Sequence, residues 1–252
     1  MTEWEAVEKR ISCRAFEDRM PGPEILAQLE ACVGELNRES GLRFQLIVSG
    51  DGSRPAVRMS PAMFSGPVYV CAALVAGDSP AESEKLGYYG EKLVLRAVEL
   101  GLGTCWVAST YDAASIHPDI AEGERLWDVI PMGYAPAKLP MKQSMTRAMI
   151  RKRDRKTETF LDEASDVTFA EAPDWIRRGI EAVRLGPSAV NQQPVNILVK
   201  NGEASMVICK KGNGLEYNDM GIAKRQFEIG AADAGVRGRF EWGNGGRFVR
   251  EV

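Results

Sequence analysis

The chain has 252 residues, of which 44% are hydrophobic and 27% charged, enough to bury one large core or two small ones. A net charge of −3 argues against a dedicated nucleic-acid binder, and the longest uncharged apolar run, Pro67–Gly77, is too short to cross a bilayer. A single histidine, His117, and five scattered cysteines exclude a Ser-His-Asp relay, an HExxH zinc site and a disulfide framework. The opening MTEWEAVEKR is no secretory signal, so a cytoplasmic protein with reduced thiols is expected. Any enzyme chemistry here is expected to be borrowed from an organic cofactor, with no metal.

Lys9–Phe16 (KRISCRAF) sets Arg10, Ser12 and Arg14 on alternate positions, which in an extended segment project to one side as three phosphate-competent donors. A solvated basic edge is the alternative. Met20–Pro23 is a turn, and Ile25, Leu26, Leu29, Cys32, Val33 and Leu36 form the core face of the following helix. Phe44–Val48 and the β-branched Val68–Val75 read as strands around a 50–55 surface loop.

Leu86–Thr110 is the stretch the chain is built around. Leu86, Tyr89, Leu93, Ala97 and Leu100 stripe one helix face, Gly101-Leu102-Gly103 stops the helix, and β-prone Cys105-Trp106-Val107 follows. Met220–Val236 repeats this frame 134 residues after Leu86, with Gly87, Ala97 and Gly101 falling on Gly221, Ala231 and Gly235. A second block repeats at an offset of 151, where Leu29-Glu30-Ala31 meets Ile180-Glu181-Ala182 and Leu46-Ile47-Val48 meets Ile197-Leu198-Val199. Two blocks in the same order favour an internal duplication over two coincidentally amphipathic helices.

Asp112–Trp127 is expected to be a short helix and Val129–Tyr134 a strand closing the first copy. Residues 137–165 read as a connector, basic from Lys142 to Lys156 and acidic afterwards, without the aromatic interleaving of a nucleic-acid arm. The second copy begins with the helix Trp175–Arg184 and reaches Gly186–Pro194 (GPSAVNQQP), rich in amide and hydroxyl groups that suit a planar heteroaromatic edge, or that simply join helix to strand. Val195–Val199 and Met206–Lys210 read as strands with a turn at Asn201-Gly202 between them, before a Gly-rich aromatic tail.

These pieces resemble the FMN-dependent nitroreductase family, in its single-chain pseudo-dimer subgroup. Arg10-Ile11-Ser12-Cys13-Arg14-Ala15-Phe16 is similar to the family's RRSxRxF phosphate run, Leu95–Ser109 to its helix and flavin loop, and Pro187–Pro194 to its PSSxNxQP segment. The resemblance implies an α+β nitroreductase-like fold, with two tandem divergent repeats (1–160 and 161–252) packed as a pseudo-dimer around central helices. It implies FMN as cofactor, with Arg10, Ser12 and Arg14 on the phosphate, joined by Arg151 and Arg153. Trp106, Ala108 and Ser109 would meet the flavin ring on one side, and Pro187, Ser188, Ala189 and Asn191 on the other. The flavin carries the chemistry, so no side chain is assigned a catalytic role. The implied partners are NAD(P)H and a small aromatic, nitro or quinone-like acceptor in ping-pong turnover, without nucleic acid or membrane.

Each copy keeps one half of a site. The segment matching Pro187–Pro194 in the first copy, Leu36–Arg43, lacks the motif, and the segment matching Arg10–Arg14 in the second, Leu161–Ser165, is acidic. The expected molecule is thus a monomer with one FMN. Where the family often carries Glu-Gly, this chain has Ala108-Ser109, and a degenerate, non-enzymatic flavin- or ligand-binding module is the alternative.

Overall fold

The computed structural model describes the chain except at Asp51, Leu139, Lys152, Arg153, Asn213 and Val252, and without the side chains of Lys142, Thr146, Arg147, Ile150 and Arg151. The helices and strands mix in an α+β arrangement, divided into two compact units. One comprises Lys9–Asp78 and Lys92–Met149; the other comprises Thr2–Glu8, Ser79–Glu91 and Ile150–Val252.

A short helix, α1 (Glu3–Lys9), opens the chain in the second unit, where the Arg178 guanidinium lies 3.5 Å over the Trp4 ring. The first unit begins with the 10–16 segment and then α2 (Pro23–Ser40), started by proline in the first turn and ended by Gly41 at φ 75°. Its buried face is Leu29, Val33, Leu36 and Ser40. Asn37 stands in for a neighbouring strand, accepting from Phe44 N at 2.7 Å and donating to Phe44 O at 2.9 Å, and so aligns β1 (Arg43–Val48).

Next come β2 (Val70–Ala76), buried at all seven positions, α3 (Pro80–Glu99), β3 (Gly103–Thr104) and β4 (Arg125–Gly133). The strands form an antiparallel sheet in the order β1-β2-β4-β3, with Phe44 opposite Leu74, Val70 opposite Met132 and Gly103 opposite Gly133. Being central, β2 is flanked on both edges and needs the continuous apolar sequence that marked it as a strand. The expected helix over Asp112–Trp127 does not form. A three-residue 3-10 turn, Ala113–Ser115, is capped by the Asp112 carboxylate at 3.0 Å, and β4 starts already at Arg125. Pro118 and Gly123, the latter at φ 81°, prevent a longer helix. The 137–165 connector contains α4 (Met141–Arg151), a helix its sequence did not announce.

The second unit holds α5 (Asp174–Leu185), the hairpin β5 (Val195–Lys200) and β6 (Glu203–Ile208), α6 (Glu216–Asp233), and β7 (Gly238–Phe240) paired with β8 (Phe248–Arg250). Asn201 and Gly202 at φ 51° and 76° make the two-residue turn that suits the twist of a hairpin. Trp175, Phe227, Phe240 and Phe248 pack edge to face and stacked, with centroids 5.2–6.0 Å apart, at the centre of this core.

The first half of α3 crosses α6 inside this unit at backbone contact. A Cβ on Gly87 would lie 1.9 Å from Asn218 O, and one on Gly221 would lie 1.9 Å from Glu84 O. Such an approach buries faces of both helices beyond the single stripe expected, and Lys224, Glu84 and Glu228 among the charged groups caught there are partnered. Lys224, fully buried, donates to the Glu84 carboxylate, to Glu241 O at 2.7 Å and to Gly243 O at 2.9 Å. Tyr88 donates to Glu228 at 2.6 Å, and Phe240 N donates to the other oxygen of the same carboxylate at 3.0 Å. Burial pushes the Glu228 pKa up and the Lys224 pKa down. Among the described residues no helix is long and apolar enough to cross a membrane, and no group of side chains could hold a metal ion.

Candidate functional site

In the first unit, residues 10–16 run extended along the free side of β3. Ser12 pairs in parallel with Thr104, Cys13 N donates to Thr104 O at 2.7 Å, and Ala15 pairs with Ser65. Alternation then does what the sequence suggested. Cys13 and Ala15 are buried, while Ser12 is exposed and Arg10 and Arg14 are half-buried at the alternate positions; the alternation ends at Phe16, which is buried. Two glycines let the segment lie this close. A Cβ at Gly66, which sits at φ 78°, would lie 1.9 Å from Phe16 O, and one at Gly103 would lie 2.7 Å from Cys13 Sγ.

The strand pairing sets Arg10, Ser12 and Arg14 beside the buried Thr104-Cys105 corner. Cys105 has its pKa raised by burial, opposed by the charges of Arg14 and Arg10 and by a hydrogen bond with the Ser12 side chain. Cys13 beside it is likewise pushed up to about 11, chiefly by burial. Burial disfavours the thiolate, so Cys105 adds no negative charge beside Arg10 and Arg14. Helix α4 fixes this strand through Gln143, whose amide donates to Arg14 O at 3.1 Å and to Met63 O at 3.0 Å. The loop beyond β3 is tied down at Val107, which exchanges both backbone hydrogen bonds with Val129 at 2.9 and 3.1 Å. Past that tie Ala108 and Ser109 are exposed, and Trp106 before it is half-buried. Arg151 is the last residue of α4; its side chain, and Arg153 altogether, lie outside the described residues. His117 is exposed on its loop, away from these groups in the sheet.

In the second unit, Pro187, Ser188, Ala189 and Asn191 lie on an irregular ridge between α5 and β5. Gly186 N closes α5 by donating to Ala182 O and Val183 O, and a single 3-10 turn follows over Ala189–Asn191. Val190, Asn191 and Gln193 have φ of 46°, 55° and 47°, a left-handed conformation that costs non-glycine residues about 1–2 kcal/mol each. Hydrogen bonds hold the ridge in this shape. Ala189 N donates to Asp219 Oδ1 at 2.9 Å, Gln193 N to Ser188 Oγ at 2.9 Å, and Asn191 Nδ2 to Asp154 Oδ1 at 2.8 Å.

Sequence reasoning passed over several members of this framework. Cys105 read as one more scattered cysteine, Gln143 as part of a connector, and Asp154 and Arg155 as part of a charge run. Asp219 is a buried acid in the first turn of α6, and its burial was the one signal available, since the stripe from Met220 begins one residue later.

The family profile described as "Putative TM nitroreductase" matches residues 3–231. Among solved structures, a nitroreductase from Thermotoga maritima superposes with a TM-score of 0.66 at 21% identity, over 99% of this chain and 93% of its own. The fold is therefore nitroreductase-like. A nitroreductase family protein from Clostridium difficile, with a TM-score of 0.40 and 18% identity, matches 59% of this chain and 92% of its own. A nitroreductase with bound FMN from Bacteroides fragilis, with a TM-score of 0.40 and 15% identity, matches 55% and 91%. No curated protein matches the chain in sequence.

Proposed function

Because the chain belongs to the nitroreductase family described as "Putative TM nitroreductase", we propose that it is an FMN-dependent oxidoreductase that uses NAD(P)H to reduce nitro- or quinone-like acceptors. The observation that carries this reading is the strand pairing that places the alternating Arg10, Ser12 and Arg14 beside the Thr104-Cys105 corner. Two guanidinium groups and a hydroxyl, set on a strand pinned from behind by Gln143, form a donor set suited to a phosphate monoester. The terminal phosphate of FMN is such a group, whereas FAD would call for a Gly-rich dinucleotide turn after an early strand, and the chain has none.

Bound FMN supplies two-electron redox chemistry. Everything else falls to the chain. Arg10 and Arg14 offset the phosphate charge and Ser12 donates to it, with Arg151 and Arg153 adding to the grip by their place in the sequence. Trp106, Ala108 and Ser109, and separately Pro187, Ser188, Ala189 and Asn191, would contact the ring. The dinucleotide leaves before the acceptor enters, which is ping-pong turnover and needs no side-chain base, in keeping with one exposed histidine. One chain, with repeats 1–160 and 161–252, acts as a pseudo-dimer that holds a single flavin.

Reconstitution tests this. The purified chain is incubated with FMN or FAD, desalted, and followed by visible absorption before and after anaerobic NADH or NADPH. Retention of FMN over FAD, with bleaching on reduction, is the expected result. Uptake of neither flavin would overturn the reading, and uptake of FMN without bleaching by either dinucleotide would leave a binding module in place of a reductase.

A further inference from the structure

Arg155 lies in the basic run Arg151–Lys156, where its sequence suggests an exposed cation, yet its hydrogen-bond donors are spent inside the second unit. Its backbone N–H donates to Gln193 Oε1 at 2.8 Å. Nη1 donates to Gln193 O and Val195 O, both at 2.9 Å. Nη2 donates to Asn196 Oδ1 at 2.7 Å and to Thr159 O. The guanidinium carbon stands 4.1 Å over the buried Phe160 ring. Each terminal nitrogen thus has two oxygen acceptors, a planar arrangement that a guanidinium meets and an ammonium cannot. The preceding residue, Asp154, accepts from Asn191. Two consecutive residues therefore hold positions 191, 193, 195 and 196, and Gln193 is held at both its backbone and its side chain.

Two of these, Asn191 and Gln193, are left-handed, and Asn191 directly follows the left-handed Val190. A left-handed β-branched Val190, followed by left-handed Asn191 and Gln193, persists only where the surroundings over-determine it. We propose that Asp154 and Arg155 form a latch that sets the backbone of the Pro187–Pro194 ridge in its flavin-receiving shape, which makes Arg155 a positioning residue. The proposal rests on the flavin reading for its purpose but not for its mechanics: the latch is built and testable in flavin-free protein. Without it, residues 190–193 relax toward ordinary right-handed conformations and the hydrogen-bonding groups of Ser188, Ala189 and Asn191 lose their fixed directions.

The test uses the full chain with Arg155→Lys, Asp154→Ala and, as a charge control, Lys156→Ala. Amide hydrogen exchange is measured in flavin-free protein, followed by FMN titration and the visible spectrum of the bound flavin. Arg155→Lys keeps the charge and loses the fork. The expected result is faster exchange over 188–193 with β2 and α6 unchanged, a shifted flavin band, and affinity lower by roughly ten- to a hundredfold, the size of one or two charge-assisted hydrogen bonds. Asp154→Ala, a change at an exposed side chain, should do the same more weakly and carries the test if Arg155→Lys fails to fold. Lys156→Ala should leave all three readouts alone. Unaltered exchange over 188–193 in both latch variants would overturn the proposal, as would a loss of affinity in Lys156→Ala equal to that in Arg155→Lys. If wild-type protein takes up no flavin but the latch variants still loosen the ridge, the latch stands and the flavin reading fails.

Discussion

Gly87 and Gly221 are reciprocal. Each sits three residues after the residue whose carbonyl meets the other: Gly87 rests on Asn218 O and Gly221 on Glu84 O, both at a distance that would put a Cβ 1.9 Å away. Helices that touch in this way are related by a local two-fold axis at the crossing, and the same two glycines fall on each other in the 134-residue repeat. Backbone cannot give way as a flexible side chain can, so the crossing depends on both glycines.

Gly87→Ala and Gly221→Ala should each destabilise the protein by roughly 1–3 kcal/mol or more through overpacking, despite a gain of about 0.5–1 kcal/mol in helix propensity. Urea unfolding followed by circular dichroism measures this. The expected effect of the two variants is closely similar, and an unchanged midpoint in either would mean that the crossing yields more easily than its geometry indicates.

Lys224 uses all three ammonium protons on Glu84, Glu241 O and Gly243 O, in a place where both charges are out of water. Lys224→Met should cost about 3–5 kcal/mol, because it strands a buried carboxylate. Adding Glu84→Gln should recover part of the loss, since a neutral amide costs less to bury while Gly243 N keeps an acceptor. The comparison of single and double variants in the same denaturant series decides it; a double variant worse than the sum would rule out the stranded charge as the cause.

Cys13 and Cys71 have their thiol pKa pushed up to about 11 and about 12 by burial. In the unfolded chain they ionise near about 8.5, so above that pH the unfolded state holds fewer protons than the native one. The stability they lend is fully present below about pH 8.5 and is lost as the pH rises toward their native values. Between pH 8.5 and 10 each thiol should account for about 1.5 kcal/mol of lost stability, and Cys71→Ala should flatten that decline by about this amount. A slope indifferent to the substitution would place the alkaline loss elsewhere. Exposed Cys209 should meanwhile react first with a thiol reagent in the native protein.

Replacing Arg10 or Arg14 with alanine should weaken FMN binding by roughly 1.5–3 kcal/mol for each lost charge-assisted contact. Flavin fluorescence titration reads this directly. Wild-type affinity in both variants would remove the 10–16 strand from the site.

Where the sequence carried a strong period or a β-branched run, the fold was readable from it. The buried strand β2, the α3 and α6 frames and the alternation in 10–16 are of this kind, because burial of one face demands the very pattern that reveals it. Helix α4 was invisible for the opposite reason. Met141, Met145 and Met149 are 80%, 62% and 67% exposed, so they stripe a face without burying it, and the helix is held by a polar anchor, Gln143. At the candidate site the extended course of the segment carrying Arg10, Ser12 and Arg14 was legible from spacing. What supports them was not, because Cys105, Asp154, Arg155 and Asp219 act through contacts between residues far apart in sequence, and a charge within a run looks the same whether it faces water or four oxygen atoms.

Val190 carries a consequence for anyone diversifying this chain. Its side chain is 77% exposed and its backbone is left-handed, so valine there contributes nothing to a core and occupies a conformation in which asparagine is far more at ease. Val190→Asn is expected to raise the melting temperature, being worth about 1 kcal/mol. A library screened for heat resistance alone should fill this position with asparagine or glycine, while one screened for turnover should retain valine if the strained ridge is what turnover uses. Sequencing the survivors of the two screens would make residue 190 a record of which pressure had acted on the protein.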